Sequence, residues 1–411
     1  MIDLDEKKEL VLLAGVSVRD GDDTEQSLDE LAELAATAGA QVAGRVIQNR
    51  EAIHPGTYLG KGKLEEIREL VWQTGATGVI CDDELSPAQL RNMEDILQIK
   101  VMDRTLVILD IFAARANTRE GKIQVELAQL RYRATRLVGL RNSLSRLGGG
   151  IGTRGPGEKK LEIDRRLIHQ RIGQLKAELE DVKRHREITR QQRERNHVPV
   201  AAIVGYTNAG KSTLMNRLTG AGVLEEDKLF ATLDPTTRSL TLSGKEKILL
   251  TDTVGFIRKL PHHLIDAFKS TLEEAKYADL ILHVVDCANP QMETQMYVVY
   301  ETLAQLGVTD KTVITVFNKK DLLEQPTVLK DFKAERTLMV SAATGEGMEE
   351  LTDTIAEVLR AGKVYLEKLF PYSQAGRIQM IRQYGSLLSE EYTEDGIVVT
   401  AYVPADIYER I

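Results

Sequence analysis

The chain contains 411 residues, 42% of them apolar, which is enough to bury about two to four cores of ordinary domain size. Its formal net charge of -8 and its pI near 5.6 exclude a protein that is uniformly basic for binding nucleic acid. No apolar run reaches the roughly 18 residues of a membrane span, and the first ten residues, MIDLDEKKEL, lack the cationic and apolar regions of a secretory signal. We therefore expect a soluble cytoplasmic protein that acts as a monomer.

Charge is distributed unevenly along the chain. Residues 114–197 contain 21 Lys and Arg against 10 Asp and Glu, a net charge of +11, which leaves -19 for all other residues. The sequence therefore predicts a basic arm on an acidic body.

Residues 1–113 are predicted to form a small N-terminal α/β domain. Strand and helix patterns alternate there, which is typical of a mainly parallel sheet. The segment Gly60-Lys61-Gly62-Lys63 opens a helix but lacks phosphate-loop spacing, so we interpret it as a glycine-rich turn with solvated lysines. The predicted strands are 9–18, 40–48, 78–81 and 101–103, and the predicted helices are 24–37, 61–74 and 86–97.

Residues 114–196 are predicted to form a hairpin of two long helices. Apolar residues recur at helical spacing in the first helix and every seven residues in the second, which predicts two facing seams. Between the helices, 148–157 contains six glycines and a proline, which continue neither helix and predict a mobile loop at the tip. The second helix, about 160 to 195, would be about 50 Å long. The two apolar sets are Leu127, Leu130, Ala134, Leu137 and Leu144, and Leu161, Ile168, Leu175 and Val182.

A phosphate-binding loop is predicted within 197–213. An apolar, strand-like run leads into GYTNAGKS, which fits the pattern G-x-x-x-x-G-K-[ST] and opens an amphipathic helix. Backbone amides of such a loop surround phosphate oxygens, Lys211 can reach the β and γ phosphates, and the Ser212 hydroxyl can bind Mg²⁺. The nucleotide-binding residues predicted here are Gly205, Tyr206, Thr207, Asn208, Ala209, Gly210, Lys211 and Ser212.

Two further segments follow in the order expected of a P-loop GTPase domain, which we place at 197–363. The first, FATLDPTTR, is polar and rich in threonine. The second, DTVG, ends a strand and fits D-x-x-G, where the carboxylate can hold Mg²⁺ through water and the glycine amide can sense the γ phosphate. The predicted nucleotide contacts are Phe230, Ala231, Thr232, Leu233 and Asp234 in the first segment, and Asp252, Thr253, Val254 and Gly255 in the second.

Guanine recognition is predicted at the end of a later strand, where N-K-x-D occurs. Guanine presents N1-H and an exocyclic amine side by side, which the Asp321 carboxylate can accept together, whereas adenine has no proton at N1. The segment S-A-A, after another strand, can supply backbone donors for the guanine carbonyl oxygen. The residues predicted to contact the base are Asn318, Lys319, Lys320, Asp321, Ser341, Ala342 and Ala343.

Other residues that can react or bind metal have simpler interpretations. Cys81 and Cys287 fit no metal-binding or redox spacing, so we expect both to be reduced core residues. His283 lies inside an apolar strand pattern and is expected to pack in the core. The C-terminal part, 364–411, is predicted to be a small α+β domain with strand-like runs at 377–381 and 397–403 around a turn at 394–396.

Taken together, these motifs resemble those of the HflX family of ribosome-associated GTPases over essentially the whole chain. The specific features are GGGIGTRGPGEKKLE and FATLDPTTR, because GKS and N-K-x-D belong to every such GTPase. The resemblance implies an α/β protein with a Ras-like doubly wound GTPase domain. It also implies hydrolysis of GTP to GDP and phosphate, binding to the 50S ribosomal subunit and its rRNA, and splitting of stalled or idle 70S ribosomes, including under stress.

The resemblance also implies roles for single residues. A threonine matching Thr232 joins Ser212 on Mg²⁺, although the residues alone do not choose between Thr232 and the nearby Thr236 and Thr237. We assign catalytic roles to Lys211, Thr232 and Gly255.

Two positions modify the expected mechanism. Asn208 resembles an asparagine through which some GTPases hold K⁺, and it is equally explained as a residue tolerated in a tight turn. Phe256 stands after D-x-x-G, where many GTPases carry a glutamine that orients water. Because a phenyl ring cannot polarise water, we expect slow hydrolysis unless a partner helps.

Three functions compete on this sequence. The first is a ribosome-stimulated GTPase whose basic arm reaches rRNA. The second is an RNA-remodelling ATPase or GTPase with a second nucleotide site in the N-terminal domain, which is less favoured because 1–113 contains no phosphate-loop motif. The third is a non-enzymatic switch in which GTP only controls partner binding.

Overall fold

The structure is a computed structural model, and its described residues form two compact units. Unit 1 consists of Met1–Asp181, Lys228–Phe230 and Arg258–Phe268, and unit 2 contains the other residues. Among the described helices, none combines the length and the apolar character needed to cross a membrane. The described residues are 9–18, 23–147, 156–195, 198–220, 229–230, 233, 235–242, 246–259, 274–325, 328–361 and 363–411, without the side chains of 138–147, 156–161, 185, 189–195 and 406.

Unit 1 contains a four-stranded sheet in the order β2-β1-β3-β4, and every pairing in it is parallel. The predicted parallel sheet is therefore confirmed. The strands are β1 (Leu10–Ser17), β2 (Gln41–Asn49), β3 (Gly78–Cys81) and β4 (Lys100–Asp103), and the helices are α1 (Thr24–Thr37), α2 (Lys61–Thr74), α3 (Pro87–Leu97) and α4 (Arg104–Arg115).

Local sequence explains where these helices lie and begin. The helix α1 buries Leu28, Leu31 and Leu34, which recur every three residues on one face, and each buried leucine contributes about 1.5 to 3 kcal/mol. At the start of α3, Ser86 and Gln89 cap each other's backbone amides, with Pro87 at the first helical position. Gly60, before α2, donates its amide to Oε1 of Gln48 at 2.8 Å, as expected of a structural turn.

The carboxyl edge of this sheet carries paired charges. Asp82, which follows β3, is 1% exposed and lies 2.8 Å from the guanidinium of Arg104 and 2.5 Å from Nζ of Lys259. Burial raises the pKa of Asp82, but Arg104 and Lys259 outweigh this effect and hold the pKa below its usual range. Asp103, at the end of β4, is paired with Arg136 at 2.5 Å. Acidic and basic groups therefore satisfy one another along this edge.

The basic segment forms two long helices, α5 (Arg119–Leu147) and α6 (Pro156–Arg195). Arg171 pairs with Glu126 at 2.8 Å and Arg119 lies 4.0 Å from Glu178, so residue numbers rise along one helix as they fall along the other. The predicted antiparallel hairpin is therefore confirmed over these turns. Most of the predicted tip loop, 148–155, lies outside the described residues, as do the side chains of Leu144 and Leu161. Its last two residues, Pro156 and Gly157, were wrongly assigned to the loop, because they form the first turn of α6, where proline fits the first helical position.

The apolar seam of α6 is buried over only part of its length. Within the predicted seam, Leu175 and the neighbouring Ile172 are buried, and Ile168 and Val182 are half-buried. The seven-residue pattern therefore marks the covered face of the helix, whereas Ile163 and Leu167, which lie outside the pattern, are 49% and 54% exposed.

Unit 2 contains a six-stranded sheet in the order β10-β9-β8-β5-β7-β6, parallel except for the pair β6 and β7. Helices between the parallel strands make it the predicted doubly wound fold, whose ligands bind at the carboxyl ends of the strands. The strands are β5 (Val200–Gly205), β6 (Thr236–Thr241), β7 (Lys247–Asp252), β8 (Leu280–Asp286), β9 (Thr312–Asn318) and β10 (Arg336–Met339), and the helices are α7 (Lys211–Thr219), α8 (Met292–Gln305) and α9 (Met348–Arg360).

The three side chains expected in the core lie there. Cys81 and Cys287 are free and buried. His283 is 1% exposed and meets the ring of Tyr300 edge to face at a centroid distance of 5.0 Å. Burial lowers the pKa of His283 to about 4, so the imidazole is neutral at physiological pH.

The C-terminal part corrects one prediction. Residues 377–381 were expected to form a strand, but they lie in a helix because Ile378 and Ile381, three residues apart, are buried on one helical face. The run at 397–403 is a strand as predicted, and it is the centre of an antiparallel sheet in the order β11-β13-β12. The strands are β11 (Lys363–Phe370), β12 (Ser386–Thr393) and β13 (Gly396–Pro404), and the helices are α10 (Ala375–Tyr384) and α11 (Ala405–Tyr408).

Candidate nucleotide-binding site

The phosphate-loop sequence forms the turn between β5 and α7. Gly210 directly precedes α7 with φ +88, and a Cβ on it would lie 2.3 Å from Nδ2 of Asn318. Glycine alone fits such a close approach in the left-handed region. The turn therefore leads straight into a helix N-terminus, whose backbone N-H groups and dipole favour an anion.

Lys211 brings a buried positive charge to this turn. Its side chain is 7% exposed, and Nζ donates to the carbonyl oxygen of Tyr206 at 2.7 Å. Burial lowers the pKa of Lys211 to about 8, although Asp252 acts in the opposite direction. Burial deprives the Lys211 ammonium of the water that stabilises its charge in an exposed lysine. A phosphate group bound here would stabilise that charge instead.

Ser212 and Asp252 come together although 40 residues separate them. The Ser212 hydroxyl donates to Oδ2 of Asp252 at 2.9 Å, and Asp252 is fully buried at the end of β7. Hydroxyl and carboxylate oxygens are ligands that Mg²⁺ prefers, so this pair fits a magnesium site. Thr232, the other predicted ligand, lies outside the described residues.

The D-x-x-G segment packs directly on the phosphate loop. A Cβ on Gly255 would lie 2.8 Å from Cα of Thr207 and 2.9 Å from Nζ of Lys211, so glycine allows the approach. Thr253 donates its hydroxyl to the carbonyl oxygen of Ile203 at 2.7 Å, which fixes the segment to β5. The predicted residues Asp252, Thr253, Val254 and Gly255 therefore lie with the phosphate loop.

Asn318 connects the phosphate loop to the predicted base-reading loop. Its Nδ2 donates to the carbonyl oxygen of Ala209 at 2.9 Å, and its Oδ1 accepts from the amide of Ala342, also at 2.9 Å. Lys319 pairs with Asp286 at 2.7 Å, whereas Asp321 is exposed and open to a ligand. One amide side chain thus holds together the loops predicted to bind phosphate and base.

The S-A-A segment forms a tight loop between β10 and α9. Ser341 accepts from the amide of Gly345 through its carbonyl oxygen at 2.8 Å and from the amide of Thr344 through its hydroxyl at 3.1 Å. Lys320 of N-K-x-D pairs with Glu346 in the same loop at 2.5 Å. The two segments predicted to recognise guanine are therefore adjacent.

The predicted FATLDPTTR segment is only partly described. Ala231, Thr232 and Asp234 lie outside the described residues, and Leu233 is buried. Phe230 belongs to unit 1, where its ring meets Phe112 edge to face at 4.7 Å, so its side chain packs in a core and only its backbone is left for the predicted nucleotide contact.

Comparison with known proteins agrees with this geometry. Three family models match consecutive parts of the chain: "GTP-binding GTPase N-terminal" at residues 25–113, "GTP-binding GTPase Middle Region" at 115–193 and "50S ribosome-binding GTPase" at 200–319. A protein named GTPase HflX from Lacrimispora saccharolytica is 70% identical over 411 residues, covering 100% of this chain and 97% of its own length. The chain belongs to the HflX family of GTPases.

Other HflX relatives align over most of their lengths as well. GTPase HflX of Escherichia coli is 45% identical over 377 residues, covering 91% of this chain and 88% of its own. A crystal structure described as an SsGBP and GDP complex is 26% identical, covers 85% of this chain and 98% of its own, and gives a TM-score of 0.49. The family makes this chain a GTP hydrolase, which sets aside a purely non-enzymatic switch.

The structure gives Phe256 a role that the sequence did not suggest. Its ring is 2% exposed, its carbonyl oxygen accepts from the amide of Thr207 at 2.8 Å, and its amide donates to the carbonyl oxygen of Gly205 at 3.1 Å. The backbone of Phe256 thus ties D-x-x-G to the phosphate loop while its ring fills the core of this HflX-family GTPase.

We expect Phe256→Ala to destabilise the protein by about 3 to 5 kcal/mol, because it removes a buried ring. Phe256→Leu keeps most of the volume, and its basal GTP turnover should stay within about threefold of wild type, since the ring donates nothing to water. Thermal unfolding and single-turnover hydrolysis at saturating GTP measure the two effects. A thousandfold loss of turnover in a folded Phe256→Leu protein would show that the ring shapes the reacting site.

The pKa of Lys211 leads to a pH dependence of nucleotide binding in this GTPase. In the free protein Lys211 titrates at about 8, and bound phosphates raise that pKa because they favour the charged form. Above about pH 8, binding of GDP should therefore take up a proton and weaken as the pH rises. Calorimetry in two buffers of different ionisation enthalpy should show this uptake at about pH 8, which is well above the second phosphate pKa of about 6. Binding without proton uptake at that pH would contradict the assignment.

Motif matching missed three side chains that shape the site. Asp286 holds Lys319, Glu346 holds Lys320, and Arg217 of α7 donates to carbonyl oxygens of the S-A-A loop. None of them belongs to a fixed motif, since each acts through a residue distant in the chain. Their only sequence signal is position: Asp286 ends β8, Glu346 stands two residues before α9, and Arg217 lies about two turns into the phosphate-loop helix.

Proposed function

We propose that this GTPase binds the 50S ribosomal subunit through its basic helical arm and uses GTP to split stalled or idle 70S ribosomes. The observation that carries this proposal is the charge of the arm, +11 over 114–197, on a chain that is otherwise acidic. Positive charge on two long helices suits the phosphates of rRNA. The name of the family model that matches 200–319, "50S ribosome-binding GTPase", supports the same partner. Such work would place the protein in the cytoplasm, as a monomer on each ribosome.

Within the GTPase site, we assign the roles as the sequence suggests. Lys211 stabilises charge on the phosphates, Asp321 and the S-A-A loop read guanine, and the amide of Gly255 lies beside the γ phosphate. Attack of water on the γ phosphorus breaks the bond to the bridging oxygen and releases GDP and phosphate. A bound Mg²⁺ would neutralise charge on the phosphates, and Ser212 with Thr232 would hold it.

Sedimentation with ribosomes tests the proposal directly. The protein should pellet with 50S subunits in the presence of a non-hydrolysable GTP analogue, and less with GDP. With 70S ribosomes and GTP, sucrose gradients should show conversion to separate subunits. Because Phe256 cannot orient the attacking water, basal GTP turnover should be slow, and it should rise when ribosomes are added. Equal pelleting in all nucleotide states, without splitting, would overturn the proposal and leave a GTPase with another partner.

The metal assignment predicts a specific response of Ser212→Ala. This variant should bind nucleotide more weakly than wild type in Mg²⁺ and about equally in EDTA, because only the link through the metal is lost. Charge-assisted contacts of this kind are worth about 1.5 to 3 kcal/mol, or roughly tenfold to a hundredfold in affinity. Ser239→Ala, an exposed serine on β6, is the matched control and should behave as wild type. Wild-type metal dependence in Ser212→Ala would remove Ser212 from the site.

Asn208 still has the two interpretations that its sequence allows. It has φ +61, a left-handed conformation that asparagine tolerates better than most residues, so the turn alone accounts for it. A K⁺ ligand at this position would make hydrolysis faster in KCl than in NaCl at equal ionic strength. Equal rates in the two salts would leave Asn208 as a turn residue.

The alternative, a second nucleotide site in the N-terminal domain, gains no support from the described residues. At the carboxyl edge of that sheet, where a ligand would bind, Asp82 is already paired with Arg104 and Lys259. ATP hydrolysis by the full chain that survives Lys211→Ala would favour the alternative, because that change disables the phosphate loop.

A further inference from the structure

Arg217 lies on α7, the helix that the phosphate loop opens, and reaches the loop predicted to read guanine. Its Nε donates to the carbonyl oxygen of Ala342 at 3.2 Å, and its Nη2 donates to the carbonyl oxygen of Ala343 at 2.6 Å. These carbonyls are 125 and 126 residues further along the chain. The fixed fork of a guanidinium holds two such acceptors in one geometry, which the single ammonium of a lysine does not.

These two bonds set the orientation of consecutive peptide groups. In a planar trans peptide, the carbonyl oxygen and the next N-H point in opposite directions. Holding the carbonyl of Ala342 therefore directs the amide of Ala343 away from Arg217, and holding the carbonyl of Ala343 does the same for the amide of Thr344. The Thr344 amide is engaged by the hydroxyl of Ser341 at 3.1 Å. Arg217 thus fixes the directions in which this loop presents its donors.

The loop is also shaped around the guanidinium. Gly345 has φ +92, and a Cβ on it would lie 3.3 to 3.4 Å from the guanidinium atoms of Arg217. Its amide closes the loop onto the carbonyl oxygen of Ser341 at 2.8 Å. Arg217 therefore packs against the loop as well as bonding to it, so its removal loses both contacts.

We propose that Arg217 is a positioning residue for guanine recognition. It holds the S-A-A loop so that the amide of Ala343 meets the carbonyl oxygen at C6 of the base, while Asn318 accepts from the amide of Ala342 in the same loop. This inference rests on the proposed guanine site. Base recognition then depends on the side chain of Arg217, which lies on the phosphate-loop helix and acts through the S-A-A loop without binding the nucleotide itself.

The test compares GTP with 6-thio-GTP, in which sulfur replaces the carbonyl oxygen at C6 of guanine. Sulfur is the weaker hydrogen-bond acceptor, and the N1-H and the exocyclic amine of the base are unchanged. Wild-type protein should prefer GTP. Arg217→Met keeps the apolar stem and removes the fork, and it should weaken GTP binding by about threefold to tenfold and 6-thio-GTP binding by less than about twofold. The ratio of the two affinities should therefore fall towards one. Arg217→Lys should lie between Met and wild type.

Controls separate this role from general destabilisation. Arg336→Met removes an arginine on β10 whose Nη1 bonds to the carbonyl oxygen of Glu335, and it should leave both affinities unchanged. Thermal unfolding checks that each variant is folded. If Arg217→Met does not fold, the two affinities are compared in Arg217→Lys instead. Equal weakening of both nucleotides, or no weakening, would overturn the role of Arg217. If Asp321→Asn also leaves GTP binding unchanged, the guanine site itself is wrong, which is a different failure.

Discussion

Asp321→Asn is expected to lose GTP affinity and to gain affinity for XTP. The carboxylate accepts from N1-H and the exocyclic amine of guanine, whereas an amide there places a donor against those donors. Losing one charge-assisted pair costs about 1.5 to 3 kcal/mol or more, so GTP should bind at least about tenfold to a hundredfold more weakly. Xanthine carries a carbonyl in place of the amine, and the new amide can donate to it.

The structure makes this prediction specific. Asp321 is exposed to solvent, three residues after Asn318, which is fixed to both loops, so the substitution changes the ligand edge without opening the core. Glu324→Gln, an exposed carboxylate slightly further along, is the matched control and should bind GTP as wild type does. Equilibrium titrations with labelled GTP and XTP measure both effects. Unchanged GTP affinity in Asp321→Asn would show that another group reads the base.

Sequence patterns predicted most of the parallel sheets because each such strand is a short apolar run between strong helix signals. The helix at 24–37 and the strand at 78–81 agree with the structure residue for residue. The four nucleotide motifs each follow a strand of one sheet, so their meeting at its carboxyl edge followed from topology alone. In these segments the local sequence pattern and the position in the fold favour the same secondary structure.

The sequence misleads or says nothing where local pattern and tertiary context differ. Residues 377–381 are too few to distinguish the two-residue period of a strand from the 3.6-residue period of a helix. The structure shows a helix that buries Ile378 and Ile381. Phe230 stands beside a nucleotide motif but packs on Phe112, a contact that sequence cannot show. Arg217 looks like an ordinary solvated residue of an amphipathic helix until its two carbonyl partners are known. Contacts between residues more than 100 positions apart leave no periodic signal.

The helical arm gives the second prediction of large effect, which concerns the segment between its helices. The structure places the end of α5 at Leu147 and the start of α6 at Pro156, and pairs the two helices by ion pairs further down. The 40 residues of α6, at 1.5 Å each, make a helix about 60 Å long. Five glycines in 148–155 allow backbone paths that side chains would block, and Arg154, Lys159 and Lys160 add positive charge nearby.

Replacing 148–157 by a two-residue turn should therefore abolish ribosome splitting while GTP affinity and basal hydrolysis stay at wild-type levels, because the nucleotide motifs all lie beyond residue 200. Some ribosome binding should survive through the rest of the arm. A second variant keeps the full loop length and changes Arg154, Lys159 and Lys160 to glutamine. It separates the effect of losing positive charge from the effect of shortening the backbone. It should flatten the dependence of ribosome binding on salt, because each lost phosphate contact reduces the number of counterions released. Splitting is measured on sucrose gradients and binding by sedimentation over a range of salt concentrations. A shortened variant that splits ribosomes at the wild-type rate would show that the segment only connects the two helices.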